Sequence, residues 1–176
     1  MTMPITAPPT TPTATPDPAP PFVIDTSSWI QAYNEQYRPS VFQKLWVDMP
    51  GLLAAGKVVL AEAAFDESMQ YDDALKLWMR GVQAHVVENN QSIEQQHAAI
   101  QSHPMGVALI MKGRTFIRSD ADSRIIATAI YLRGTVVTKE LPSTSPTKPK
   151  IPNVCAHFRV PCVDLMQMLE LLGLSY

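Results

Sequence analysis

The sequence predicts an α/β protein with a short parallel sheet that is covered by helices on both faces. Two observations support this fold class. Short apolar runs rich in β-branched residues alternate with stretches in which apolar residues recur at helical spacing. Continuous apolar runs are typical of strands buried on both sides, as in parallel sheets, whereas one-sided strands alternate with polar residues.

The strands and helices follow one another along most of the chain. The apolar runs at 22–24, 57–60, 135–138 and 160–164 predict strands, and 82–87 is interpreted as a strand or an extended connection. Helical spacing predicts helices over 40–56, 61–69, 71–81, 90–103, 122–133 and 165–173. The segment 105–113 fits either state, and the polar, proline-rich stretch 141–152 predicts a loop.

Several residues mark where these helices begin and end. Ser40 is predicted to cap the helix over 40–56 and Gly56 to close it, while Pro50 should kink it or split it in two. Asp72 is predicted to cap the next long helix, and Gly134 to stop the helix over 122–133.

The chain divides into a tail and one domain. Residues 1–21 are nearly all Pro, Thr and Ala, a composition that cannot bury enough apolar surface to fold, so we expect a disordered tail before a single domain over 22–176. No apolar run approaches the ~18–20 residues that would cross a bilayer. The two cysteines are too few for a disulfide framework, and we expect a reduced, cytoplasmic protein without membrane contact.

Charge and motifs exclude several classes of function. The formal net charge of −2 argues against a strongly basic nucleic-acid binder, although a nucleic-acid enzyme with an acidic metal site remains compatible with it. The sequence contains no Ser/His/Asp order for acyl transfer and no glycine-rich phosphate loop. An aspartyl-phosphate phosphatase would need a second Asp two residues after Asp25, where this chain has Ser27.

Acidic residues from distant parts of the chain are predicted to meet at one edge of the sheet. Asp25 ends the first strand and Glu140 follows the strand at 135–138, while Asp122 heads the helix that leads into that strand. Glu67 and its rival Glu62 lie on the helix after the second strand. Sites in parallel sheets form at the carboxyl ends of the strands, so these carboxylates are candidate metal ligands.

Four motifs together resemble those of the PIN-like nuclease superfamily, in particular a little-characterised branch of it. They are "FVIDTSSWI", "VVLAEAAFDES", "DSRIIATA" and "GTVVTKE", followed by "IPNVC" before the last strand. Their order and spacing extend the resemblance over nearly all of residues 22–174. It implies a three-layer α/β/α fold and a metal-dependent ribonuclease, often the toxin of a toxin–antitoxin pair.

The resemblance also implies roles for individual residues. Asp25, Glu67 and Asp122 match the first three acids, and Glu140 takes the fourth place, where most members have Asp. Three hydroxyl residues match positions that line the site: Thr26, Ser27 and Thr138.

The residue types agree with that chemistry. Carboxylate oxygens are the ligands that Mg²⁺ and Mn²⁺ prefer, and a bound cation can activate water and stabilise phosphate charge. The expected partners are an RNA substrate, an antitoxin protein and a second copy of the chain. Two simpler interpretations stay open: Asp120 as a loop acid or helix cap, and the whole domain as a PIN-like interaction module without catalysis.

Overall fold

A computed structural model describes residues 19–70, 74–111, 120–145 and 147–176. The predicted tail, 1–21, lies outside the described residues except for its last three positions. Pro21 already belongs to the folded part, because its carbonyl oxygen accepts a hydrogen bond of 2.8 Å from the backbone N–H of Thr135. In the described ranges no helix combines the length and the apolar character needed to cross a membrane.

The sheet is parallel throughout, as predicted. Its strands stand side by side in the order β3-β2-β1-β4-β5, with Val23 of the central strand in register with Val59 on one side and Val136 on the other. The strands are β1 (Phe22–Ile24), β2 (Val58–Ala61), β3 (Val86–Val87), β4 (Thr135–Val137) and β5 (Cys162–Val163).

Helices cover both faces of this sheet in a three-layer α/β/α arrangement. Parallel crossovers are right-handed, so the connections from β1 to β2 and from β3 to β4, which run in opposite directions, lie on opposite faces. The helices are α1 (Thr26–Gln31), α2 (Gln43–Ala54), α3 (Glu62–Ser68), α4 (Ala74–Gly81), α5 (Gln91–Ser102), α6 (Pro104–Ile110), α7 (Ala121–Leu132), α8 (Ile151–His157) and α9 (Leu165–Leu171).

Helix α2 departs from its prediction at its start, because Phe42, not Ser40, occupies the N-cap position, without a side-chain hydrogen bond. Of the two predicted effects of Pro50, splitting does not occur, since the helix continues through it, and a kink stays a prediction. Proline inside a helix costs ~3 kcal/mol, whereas burying one large apolar side chain gives about 1.5–3 kcal/mol. The buried face outweighs the proline because it includes Leu45, Trp46, Met49 and Leu53. Gly56, with φ +66°, closes the helix as predicted.

Two helical segments lie where the sequence predicts none. After β1 the chain enters α1 and then a π-helical turn over Ala32–Gln36, although Ser and Thr favour turns. The helical conformation of this segment places Trp29 in the core. Trp29 is fully buried in a cluster with Trp46 and Trp78, at ring-centroid distances of 6.4 and 5.6 Å. Tertiary packing therefore overrides local preference.

Helix α8 begins inside the predicted loop 141–152. Pro152 stands in its first turn, where a missing N–H costs nothing. The side-chain oxygen of Asn153 accepts hydrogen bonds from the backbone N–H groups of Lys150 and Ser143, and so fixes the loop to the helix.

Two other predictions have different outcomes. Strand β5 is shorter than the predicted 160–164, and the predicted cap Asp72 lies outside the described residues.

Helix α7 ends at Leu132, and the residue in the left-handed conformation at its end is Arg133, not the predicted Gly134. Arg133, with φ +53°, takes the left-handed conformation, and the N–H groups of Arg133 and Gly134 bind the carbonyl oxygens of Ile130 and Ala129. Gly134 is needed for a close approach, since a Cβ there would lie 2.5 Å from the carbonyl oxygen of Pro21.

Candidate functional site

The candidate site lies where the strand order reverses, between β1 and β4. From β1 the chain crosses to β2 on one side, and from β3 it returns to β4 on the other, which leaves a crevice at the carboxyl ends of these two strands. Asp25 directly follows β1, and Thr138 directly follows β4. The topology therefore places both residues at the edge where α/β proteins bind ligands.

Four residues form a buried hydrogen-bonded group, called here the Asp25 cluster: Asp25, Ser27, Ser28 and Thr138. One Asp25 oxygen, Oδ1, accepts the backbone N–H of Ser28 at 2.6 Å. The other, Oδ2, accepts the hydroxyls of Ser27 at 3.0 Å and Thr138 at 2.7 Å. Asp25 is 1% exposed, and all three donors are electrically neutral. Within the described part of the chain, the donors to this carboxylate are therefore dipoles and carry no formal charge.

This environment shifts the titration of Asp25. Burial raises the pKa of the Asp25 carboxyl above its ordinary value, while the hydrogen bonds from Ser28, Thr138 and Ser27 act in the opposite direction. The raised pKa means that the folded protein stabilises the ionised form of Asp25 less well than water does. A cation bound at Asp25 would supply the missing compensation.

The donor set of Asp25 fits a hard cation. A carboxylate has about four lone-pair positions. Among the described residues Oδ2 accepts two hydroxyls and Oδ1 accepts one N–H, and the Ser28 side chain also lowers the pKa of Asp25. The hydroxyl oxygen of Thr26, the next residue in the chain, is buried and has no hydrogen-bond partner among the described residues. Oxygen ligands of this kind suit Mg²⁺ and Mn²⁺.

The predicted hydroxyl residues thus separate into two groups. Ser27 and Thr138 contact the Asp25 carboxylate directly, whereas Thr26 is buried nearby without such a bond. Sequence reasoning missed Ser28, whose N–H binds Asp25 and whose hydroxyl accepts the backbone N–H of Lys139 at 2.8 Å. The N-cap pattern, an acid three residues before the donor, is the signal that would have found it.

Glu67 and Asp122 are each half-buried, on α3 and in the first turn of α7. Helix α3 packs against both α1 and α7, so the three helices that carry Asp25, Glu67 and Asp122 are in contact. Within the described ranges, however, no three His, Cys, Asp or Glu side chains lie close enough together to hold a metal ion. The shared metal site of these acids stays a prediction.

Glu140 is joined to the Asp25 cluster through Thr138. Its backbone N–H donates to the Thr138 hydroxyl at 3.1 Å, and its Oε2 accepts the N–H of Ile151 at 3.0 Å. One carboxylate oxygen of Glu140 therefore holds the first turn of α8. This agrees with a place at the margin of the predicted site.

The two alternative acids have structural partners. The Oε2 of Glu62 accepts the backbone N–H of Asn89 at 3.0 Å and fastens α3 to the chain after β3. Asp120 stands at the N-cap position of α7 but makes no side-chain cap bond, contrary to the cap interpretation. Its Oδ2 instead accepts the Arg124 Nε–H at 2.9 Å.

The cysteines near the site are free thiols. A hydrogen bond to Cys162, together with burial, raises the pKa of Cys155. Cys155 is therefore a protonated core residue and no nucleophile at neutral pH.

One family model matches the chain. It is described as Domain of unknown function (DUF4411) and covers residues 22–176, the whole of the predicted domain. No curated protein matches the chain.

Proposed function

Since the chain belongs to the DUF4411 family, whose description names no activity, we propose a function from the site: metal-dependent endoribonuclease, hydrolysing phosphodiester bonds in RNA. The observation that carries this proposal is the buried carboxylate of Asp25, held by neutral donors at the crevice between β1 and β4.

A purely structural role does not explain an acid at this position. Asn and Ser cap a helix about as well as Asp does. A buried carboxylate costs free energy that a neutral cap avoids, unless an opposite charge compensates it. Asp25 is 1% exposed and its donors among the described residues are neutral, which supports a role for its charge beyond capping α1.

The proposed metal ligands are Asp25, Glu67 and Asp122, binding Mg²⁺ or Mn²⁺. The bound cation would supply an activated water and charge compensation for the phosphate oxygens. Thr138 and Ser27 orient the Asp25 carboxylate by donating to Oδ2. Glu140, held through Thr138 and Ile151, acts at the margin, so Glu140→Gln is expected to cost less than loss of Asp25.

The resemblance to the PIN-like superfamily supports the choice of RNA as substrate and adds expected partners. We propose that a partner protein of the antitoxin kind restrains the activity in the cytoplasm, and that the chain can form a homodimer. High-level expression of active protein without any partner and without toxicity would argue against restraint of this kind.

The test compares RNA cleavage by the wild type and Asp25→Asn, with purified protein, single-stranded RNA and a titration of Mg²⁺ or Mn²⁺. We expect Asp25→Asn to reduce cleavage by on the order of 10²–10⁴. Glu67→Gln is paired with Asp66→Asn, an exposed acid next to it on the same helix. The Glu67 variant should lose activity and the Asp66 variant should keep it.

A folding control separates lost chemistry from lost structure. Because burial raises the pKa of Asp25, ionised Asp25 destabilises the fold, and its cost grows as pH rises from about 3.8 through the raised pKa. Asp25→Asn should therefore melt no lower than the wild type at pH 7. If this folded variant cleaves as fast as the wild type at limiting metal, the nuclease proposal fails, and the interaction module without catalysis takes its place.

A further inference from the structure

A cavity of about 700 Å³ opens beside the Asp25 cluster. Ser27 and Ser28, which both donate to Asp25, form part of its wall. The rest of the wall comes from the end of α1, the end of the π-helical turn, the chain after β4, the residue before α8 and the start of α9. Its size is that of a small-molecule site. A ligand in this cavity would contact two serines that themselves donate hydrogen bonds to the Asp25 carboxylate.

Two cations face this cavity. Lys139 and Lys150 both line it and are both exposed. The ion pairs found between described residues use other basic side chains, namely Lys44, Arg124 and, when protonated, His97. Two ammonium groups at one opening suit an anionic ligand such as a phosphate.

The two acids in the wall are partly compensated by backbone dipoles. Glu140 accepts the N–H of Ile151 at 3.0 Å, and Asp164 accepts the N–H of Gln167 at 2.8 Å. Both bonds lie in the first turn of a helix, where N–H groups stabilise negative charge. Glu140 and Asp164 therefore offset the positive charge of the two lysines less than their formal charges indicate.

An aromatic ring lies in the same wall. Tyr37 follows the π-helical turn Ala32–Gln36 and is half-buried, with its ring held edge-on against Phe42 at a centroid distance of 5.3 Å. Burial, with a smaller contribution from Asp164, raises the pKa of Tyr37, so its hydroxyl stays protonated. Single π-helical turns occur frequently at functional sites. A fixed aromatic ring gives a base a face on which to stack.

We propose that this cavity binds one nucleotide of a single-stranded nucleic acid, with the phosphate at Lys139 and Lys150 and the base on Tyr37. The proposal rests on the proposed nuclease function, since it gives the substrate of the Asp25 cluster a position beside that cluster. It goes further by naming residues that bind the strand and take no part in the chemistry. A free mononucleotide has the same chemistry and is the second possible source of this ligand.

The experiment measures binding in EDTA, where metal-dependent cleavage is absent. A fluorescein-labelled ten-nucleotide RNA is titrated with the full chain by fluorescence anisotropy, and unlabelled AMP and UMP are added as competitors. Lys139→Gln and Lys150→Gln are compared with Lys57→Gln, an exposed lysine just before β2 at the opposite edge of the sheet.

We expect each cavity lysine variant to weaken binding and to lower the slope of log K against log salt by about 0.7. Lys57→Gln should leave both unchanged. Tyr37→Leu should weaken binding roughly 5- to 150-fold, and Tyr37→Phe, which keeps the ring, should restore it. Melting curves identify a Tyr37→Leu protein that has unfolded, in which case the exposed lysines decide the result.

The outcomes separate this proposal from the proposed function. Equal affinities and salt slopes for wild type, Lys139→Gln and Lys150→Gln would overturn the nucleotide cavity even if the wild type cleaves RNA. Lysine- and tyrosine-dependent binding would support the cavity even if no metal promotes cleavage. Competition by AMP or UMP in the micromolar range would assign the cavity to free nucleotides, and its absence would assign it to the strand.

Discussion

Two polar clusters in this protein are built from similar residues but differ in how their charge is balanced. The Asp25 cluster buries one carboxylate among neutral donors. The second group, called here the Arg124 cluster, lies between α5 and α7 and consists of Glu94, His97, Asp120, Ser123 and Arg124. Both contain a buried titratable side chain hydrogen-bonded to a serine or threonine hydroxyl.

In the Arg124 cluster opposite charges meet within the chain. The Arg124 guanidinium binds Asp120 at 2.9 Å and also binds Glu94. His97 is buried, with Nε2 at 3.0 Å from the Ser123 hydroxyl and at 3.7 Å from Asp120. Asp120 and Glu94 are thus each paired with the Arg124 guanidinium, and the pair with Glu94 links α7 to α5.

The comparison shows which cluster pairs its charges within the described part of the chain. Charges that cancel within the protein serve the packing of two helices, and mutation there should mainly affect stability. No ion pair between described residues includes the Asp25 carboxylate, whose burial costs stability, and we propose that this acid is retained to bind a ligand. Four predictions test this difference, beginning with the largest expected effect.

The largest effect is expected from a pair of substitutions two residues apart at the start of α7. Asp122→Asn removes a proposed metal ligand and should lower RNA cleavage by on the order of 10²–10⁴. Asp120→Asn changes the Arg124 cluster and should leave the rate within roughly threefold of the wild type. Both are measured at saturating Mn²⁺, alongside thermal unfolding. A stable Asp120→Asn protein without activity would contradict the assignment of Asp120 to packing.

A second pair concerns the hydroxyl that joins the strands of the site. Thr138→Val removes the 2.7 Å bond to Asp25, and because this bond lowers the pKa of Asp25, its loss should raise that pKa further. The acidic limb of the pH–rate profile should move to higher pH, so that the ratio of variant to wild-type cleavage falls as the pH is lowered. Thr135→Val, at the other end of β4, is the matched control. Coincident pH profiles for the two variants would show that Thr138 does not act through Asp25.

Arg124→Gln should reveal the role of the second cluster. It leaves Asp120 and Glu94 without their cation, but these groups are largely exposed, so we expect a loss of about 1 kcal/mol in the free energy of unfolding. Arg80→Gln, on the exposed side of α4, should cost less than half of that. Urea unfolding measures both. Cleavage per folded molecule should be unchanged, and a loss of activity would extend the site into this cluster.

The smallest effect concerns the pH dependence of stability through His97. Burial, with Arg124 next, lowers the pKa of His97 below 6.5, while Asp120 and Glu94 act the other way. A folded pKa below the unfolded one means that stability is complete above pH 6.5 and is lost as pH falls through the folded pKa, by at most about 1.4 kcal/mol per pH unit. His97→Gln should flatten this part of the stability curve, measured by urea unfolding between pH 7 and 5. An equal slope in the variant would assign the acid sensitivity to other groups.

The sheet could be predicted from the sequence because its strands carry their own signal. Runs such as Phe22–Ile24 and Thr135–Val137 are buried on both faces, and burial on both faces demands continuous apolar residues. The helices after β1 and before β5 could not be predicted. Their local residues favour turns and loops, and only the burial of Trp29, Ile151 and Val154 by distant parts of the chain makes them helical.

The candidate site was predictable to a similar degree. Asp25 and Thr138 follow strands, and the parallel topology brings strand ends together, so their contact follows from the strand assignment. Ser28 contacts Asp25 through its backbone N–H, which any residue possesses, and its hydroxyl accepts the N–H of Lys139, a residue distant in sequence, so only the N-cap spacing from Asp25 gave a signal. The cavity was beyond prediction because Tyr37, Lys139 and Lys150 come from three loops and turns whose mutual positions depend on the whole fold.

The three tryptophans of the chain, Trp29, Trp46 and Trp78, form one cluster, so ultraviolet emission from the protein has a single origin. Trp29 belongs to the helical turn that Asp25 begins, and the backbone N–H of Trp29 donates to the backbone carbonyl oxygen of Asp25 at 3.1 Å. A cation bound by the Asp25 carboxylate would shift this turn and, with it, the Trp29 ring. We propose that tryptophan emission reports a cation bound at Asp25, which would allow metal titrations without a label, a substrate or an assay of catalysis.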